Sequence, residues 1–122
     1  MDKEQSIPGS VTVETEVLET IAHLTALGVP GVVDIAERDV ERLLNKTAKA
    51  VQVMVRDGKV YVKLHIVAGP DHSLLKLGKA VQYEVTRAIQ QTIGMPVDSV
   101  DVHIMDVVYG QPEPWAEPEP SQ

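Results

Sequence analysis

The sequence predicts a two-layer α+β domain: a small, largely antiparallel sheet of three or four strands with helices packed on one face. Three observations predict it. Apolar residues alternate on both sides of Asp57-Gly58, as Val51, Val53, Val55 and then Val60, Val62, Leu64, Ile66, which is the period of a half-buried hairpin. Segments on either side of that hairpin carry apolar residues three and four apart, the spacing of helices that lay one stripe on a core. Alternation then returns at Val100, Val102 and Ile104, so a further strand follows the second helical segment.

Taken in order, residues 1–9 read as a loose N-terminal arm. Val11 and Val13 flanking Thr12 suggest a short strand or extended entry. From Thr15 to Leu27 the apolar positions Val17, Leu18, Ile21, Leu24 and Leu27, with Ala22 beside them, follow helical spacing. Glu14, Glu16 and Glu19 lie near the start, where the helix dipole favours negative charge. Gly28 suits the helix end, and Pro30 blocks continuation. Val29-Pro30-Gly31-Val32 is therefore a turn. Within residues 33–49, Val40, Leu43 and Leu44 form one face of a short helix from about Asp39 to Lys46, with a loop as the alternative.

The hairpin follows. A two-residue Asp-Gly turn of type I′ needs positive φ twice, which these residues tolerate best. It fixes the register: Val55 faces Val60, Val53 faces Val62, Val51 faces Leu64. A slip by one residue would set Val against Tyr or Lys. Gly69-Pro70 ends the second strand, and Asp71 or Ser73 can cap the next helix. That helix runs to about Ile93, with Leu74, Leu77, Val81, Val85, Ala88, Ile89 and Thr92 as its stripe. Gly78 inside it costs up to about 1 kcal/mol relative to Ala, either for close approach to the sheet or as a tolerated residue. Gly94 caps the end, and the last strand runs from Val97 to about Val108, with its alternation broken at Asp106-Val107. The arrangement is much like a split βαβ unit. Residues 10–110 thus form one domain, and 111–122, rich in Pro and Glu, form an extended, disordered acidic tail.

Composition narrows the function classes. The chain has 122 residues, no Cys and no Phe, and a net charge of −7. Without Cys there are no disulfides, thiolate metal sites or Cys nucleophiles, which fits a reducing cytosol. The polar start Met-Asp-Lys-Glu-Gln-Ser is not that of a signal peptide. No run approaches the roughly 20 apolar residues of a membrane span. Residues 1–41 carry nine acidic and two basic side chains, whereas residues 42–110 carry six acidic and nine basic. A basic middle between acidic flanks suits self-association or an acidic partner, and the overall charge opposes general nucleic-acid binding.

No P-loop, GxGxxG, HExxH or GxSxG occurs, and no catalytic site or cofactor is expected. The hairpin and last strand leave an open sheet face bearing Gln52, Met54, Tyr61, Lys63, His65, His103 and Met105, the candidate protein-interaction surface. His65 and His103, with Asp101 nearby, would approach a metal ion only if their strands are neighbours. That makes a small-ligand or metal site the second reading. A weak nucleic-acid binder is the third, with Lys63, Arg56, Lys76, Lys79 and Arg87 as phosphate contacts and Tyr61 as the one aromatic platform on the face. His23 is placed off the helical stripe, at the surface or its boundary, and His72 at a helix start. Trp115, the single Trp, is a candidate anchor in the tail.

Three segments together resemble the alkaline shock protein family of cell-envelope stress response proteins from Gram-positive and related bacteria. They are Val11-Thr-Val-Glu-Thr-Glu-Val-Leu-Glu-Thr-Ile-Ala22 with Gly28-Val-Pro-Gly-Val32; Val51-Gln-Val-Met-Val-Arg-Asp-Gly-Lys-Val-Tyr-Val-Lys-Leu-His-Ile-Val67; and Val81-Gln82 through Ile93-Gly94 to Val100-Asp-Val-His-Ile104. The resemblance implies a cytoplasmic, non-enzymatic interaction module that self-associates or docks on membrane-anchored partners, and it carries over no site residues. The charged segment Val33 to Thr47 and the Glu-Pro tail depart from the family pattern.

Overall fold

A computed structural model describes residues 7–35, 50–70 and 73–108. They form helix α1 (Thr15–Leu27), strands β1 (Val32–Ile35), β2 (Val51–Arg56) and β3 (Lys59–Ala68), helix α2 (Leu74–Ile93) and strand β4 (Val97–Val107). The helix expected at 39–46, the capping role of Asp71, His72, and the tail with Trp115 lie outside the described residues.

The hairpin sets the frame. Asp57 and Gly58 hold φ of 53° and 76°, and β2 pairs antiparallel with β3 in the register Val51↔Leu64, Val53↔Val62, Val55↔Val60. The turn chemistry and the alternation agree because both faces of the hairpin are then uniform. β3 is the central strand. Along one of its edges β2 pairs with its first half and β1 pairs antiparallel with its end, as Val32↔Ala68 and Ile35↔Ile66. Along the other edge β4 runs parallel to β3, so two of the three pairings are antiparallel.

The parallel pairing needs a crossover of a dozen residues or more, and α2 supplies it. β3 and β4 are direct neighbours, so the unit is a plain βαβ and not the split one expected; no strand is inserted between them. β1 is a strand where only a turn was expected. Val29-Pro30-Gly31-Val32 does turn, with Gly31 at φ 105° and the Val32 N–H donating to the Val29 carbonyl at 3.0 Å. This is the arrangement of a type II turn with Pro first and Gly second. It delivers Val32 directly to the end of β3.

Both helices cover the same face. From β3, Val60, Val62, Leu64, Ile66 and Ala68 are buried against α2 residues Leu77, Val81, Val85 and Ile89 and against α1 residues Leu18, Ala22 and Ala26. Full burial of each Val, Leu or Ile contributes about 1.5–3 kcal/mol. Ser73 caps α2, its Oγ accepting from the Lys76 N–H at 3.3 Å. Gly94 ends it in the left-handed region at φ 84°, where a Cβ would be strained. A Cβ added at Gly78 would meet nothing within 4 Å, so this glycine is tolerated and does not serve close packing.

Three expectations about apolar residues are corrected. In α1 the buried row is Leu18–Ala22–Ala26, while Val17 and Leu24 are 45% and 63% exposed. A helix lying across a sheet buries one row spaced by four, and small alanines in that row let it lie close. In α2, Leu74 and Thr92 at the two ends of the expected stripe are exposed. Val11 and Val13 form no strand.

Candidate functional site

The sheet face opposite the helices is assembled by register. Met54, Tyr61 and Ser99 form one row across β2, β3 and β4; Gln52, Lys63 and Asp101 form the next; His65 and His103 form a third. Six of the seven candidate residues are thus on one face by strand parity. The seventh, Met105, sits in a bulge: Ile66 pairs with Ile104 but Val67 pairs with Asp106, which leaves Met105 as the extra residue. The alternation break predicted at Asp106-Val107 falls one residue earlier, and the Asp106 Oδ1 accepts the Val107 N–H at 2.8 Å.

The rows differ in chemistry. Met54 is 48% exposed and Met105 38%, while Tyr61 is half-buried between its neighbours. Gln52, Met54, Tyr61, Lys63, Ser99 and Asp101 line a depression of about 410 Å³. Its lining joins the apolar Met54 to one row in which Lys63 and Asp101 stand opposite each other in register. Ser99 and Asp101 join this lining only because β4 lies beside β3. The surface read from sequence took His103 and Met105 from this strand and omitted both, because which β4 residues stand beside Tyr61 and Lys63 depends on the parallel register, which no local pattern encodes.

The His65 and His103 rings stack, with centroids 5.0 Å apart and planes 18° from parallel. The Nδ1 atom of His65 is buried and has no hydrogen-bond partner. Nearly parallel rings aim their lone pairs along parallel planes, so in this pose they do not converge on one ion. Among the described residues no three His, Asp or Glu side chains come together as metal ligands.

The remaining candidates are dispersed. Glu14 and Glu16 are exposed at the start of α1 and Asp98, Asp101 and Asp106 are strung along β4, so these carboxylates do not converge on a cleft. Arg87 lies on α2, 3.9 Å from Glu84 and 3.4 Å from Gln91. With Lys76 and Lys79 it belongs to the helical layer, whereas Lys63 belongs to the open face. The basic residues among those described therefore form no single track for a phosphate backbone. A second depression, of about 310 Å³, lies between the helices and is lined by Leu24, Thr25, Gly28, Pro30, Ala80 and Glu84.

No helix among the described residues is long and apolar enough to cross a membrane. Similarity to known proteins runs along the same architecture. An uncharacterized protein of Bacillus subtilis (strain 168), YloU, is 24% identical over 106 residues, covering 81% of this chain and 88% of that protein. Among solved structures, the copper form of MamM CTD is similar with a TM-score of 0.56 at 16% identity, over 80% of this chain and 91% of that one. The zinc form of a substituted MamM CTD is similar at 0.51 and 14% identity, over 80% and 90%. These structures share the fold. The family model described as of cell envelope-related function matches residues 3–109, and the chain belongs to that family, the alkaline shock protein 23 family.

Proposed function

We propose that the chain is a non-enzymatic interaction module of the cell envelope that docks a protein partner on its open sheet face. The observation that carries this reading is the depression around Tyr61. Exposed Met54 and half-buried Tyr61 sit beside Lys63 and Asp101 on a face that neither helix covers. Adaptable Met and a rigid aromatic with a polar tip are the residue types that dominate contact energies at protein interfaces. A membrane-anchored protein of the same family is the partner this reading favours, with the chain itself on the cytoplasmic side. Crosslinking in cells tests it: Met54→Asp with Tyr61→Asp is expected to remove the crosslinked partner without altering the circular dichroism or the melting temperature by more than a few degrees. An unchanged partner yield from the folded double variant sinks the reading.

A second reading rests on the unpartnered Nδ1 of His65 beside His103. Two imidazoles on neighbouring strands, once rotated out of the stack, would give a transition-metal cation two nitrogen ligands. Untagged protein carrying stoichiometric zinc, copper or nickel that is lost in His65→Ala supports it, and sub-stoichiometric metal rejects it.

A further inference from the structure

The segment before α1 has the composition of a strand and no strand partner. Ile7 is 76% exposed and Val11 94%, with Val13 at 37%. Among the described residues, no backbone group of residues 7–13 is hydrogen-bonded to another backbone group. Val11 and Val13 flank Thr12 in strand alternation, so an extended arm would present both valines on one side.

The sheet offers a matching vacancy in its hydrogen bonding. Arg56 and Lys59 flank the two-residue turn and form its closing hydrogen-bonded pair. Alternation of the antiparallel ladder then turns the N–H and C=O groups of Val51, Val53 and Val55 away from β3. Among the described residues no strand pairs with that side of β2. The side chains of these three valines lie on the helix-covered face, yet cover runs out toward the hairpin tip: Val51 is buried, Val53 is half-buried, and Val55 is 39% exposed. An added strand with valines two apart would extend this apolar row where α1 does not reach.

Charge selects this edge over the other one. The arm leads into Glu14 and Glu16, and β2 ends beside Arg56 and Lys59, all exposed. The outer edge of β4 instead carries Asp98, Asp101 and Asp106 along its strand, which repels an acidic arm. We propose that residues Val11–Val13 of one copy add as a strand, in a second copy, to the edge of β2 that no described strand pairs with, parallel to it, so that Glu14 and Glu16 come beside Arg56 and Lys59. Each copy has both an arm and an edge, so reciprocal exchange closes a dimer and one-way exchange builds an open chain. This contact uses a sheet edge and stands independently of what the open face docks.

The chain contains no cysteine, so introduced thiols are the only ones present. Full-length Val11→Cys is mixed with full-length Val53→Cys under mild oxidation, with Val11→Cys plus Asp98→Cys as the control for the other edge. A mixed disulfide forming at least about tenfold faster with Val53→Cys than with Asp98→Cys is expected, since opposed strand residues lie within disulfide reach. Equal rates overturn the proposal. Light scattering on the cysteine-free full chain is expected to show two or more copies per particle, and Val11→Asp with Val13→Asp about tenfold weaker association. A full chain that stays at 13.3 kDa at all concentrations, or assembly unchanged in that double variant, also overturns it. Loss of partner crosslinking in Met54→Asp with Tyr61→Asp while the Val11–Val53 disulfide persists separates a failure of the open face from a failure of the arm.

Discussion

The two faces of β3 carry the same number of side chains and do different work. On one, Val60, Val62, Leu64 and Ile66 are all but inaccessible and share one core with both helices. On the other, among the described residues, Tyr61, Lys63 and His65 stand beside residues of β2 and β4. The covered face is a set of shape constraints, because each methyl group has neighbours on all sides. The open face is held by register alone. Its chemistry is therefore free to change without endangering the fold, which is the condition under which a surface can be specialised for a partner.

The largest break of that contrast is Leu64→Ala, expected to cost about 2–5 kcal/mol from the cavity left among α1, α2 and β2 and to be read as a lower urea midpoint at unchanged slope. A loss below about 1 kcal/mol would mean that the helices close over the gap. On the open face of β2 and β3, Met54→Asp with Tyr61→Asp is expected to cost no more than about 1 kcal/mol, the span of strand propensity effects, so a loss as large as that of Leu64→Ala would make the open face part of the core. Gly78→Ala sharpens the comparison within the covering layer. The added methyl meets nothing within 4 Å, so a gain of about 0.5–1 kcal/mol in thermal unfolding is expected. A loss would show that α2 sits closer to the sheet than its four buried residues require. Smallest, His103→Ala removes one ring of the stack and is expected to cost a few tenths to about 1 kcal/mol, with chemical shifts changing at His65 and not at Val62.

What was legible in the sequence follows the range of the interactions that decide it. The hairpin register was readable because two residues, Asp57 and Gly58, dictate the turn and the alternation is local. The bounds of α1 and α2 were readable from Gly28, Ser73 and Gly94. β1 was not, because Val32-Val33-Asp34-Ile35 is β-branched but only four residues long, and a bulge between Val32 and Asp34 breaks its alternation. Val11-Thr12-Val13 shows the converse, a strand pattern that pairs with no strand among the described residues. The candidate surface was half legible for the same reason. Parity put Gln52, Met54, Tyr61, Lys63 and His65 together and set His103 and Met105 on the outer face of the last strand, but that Ser99 and Asp101 stand beside Tyr61 and Lys63 follows from a parallel register fixed by a distant crossover, which no local pattern encodes.

The central place of β3 has a consequence for the order in which the chain folds. Its pairing with β2 closes a loop of two residues, whereas its pairing with β4 must bring together segments separated by the whole of α2. Loop closure costs more entropy as the loop lengthens, so the hairpin is expected to form early and β4 to dock late, after α2 has covered Val62 and Leu64. Conservative truncations at Val53 are then expected to slow folding, and those at Val102 to speed unfolding instead. In the interval before β4 docks, β3 is an open edge beside half-covered valines. The acidic residues Asp98, Asp101 and Asp106 travel on the strand that will fill that gap, where their mutual repulsion discourages two late strands from pairing with each other.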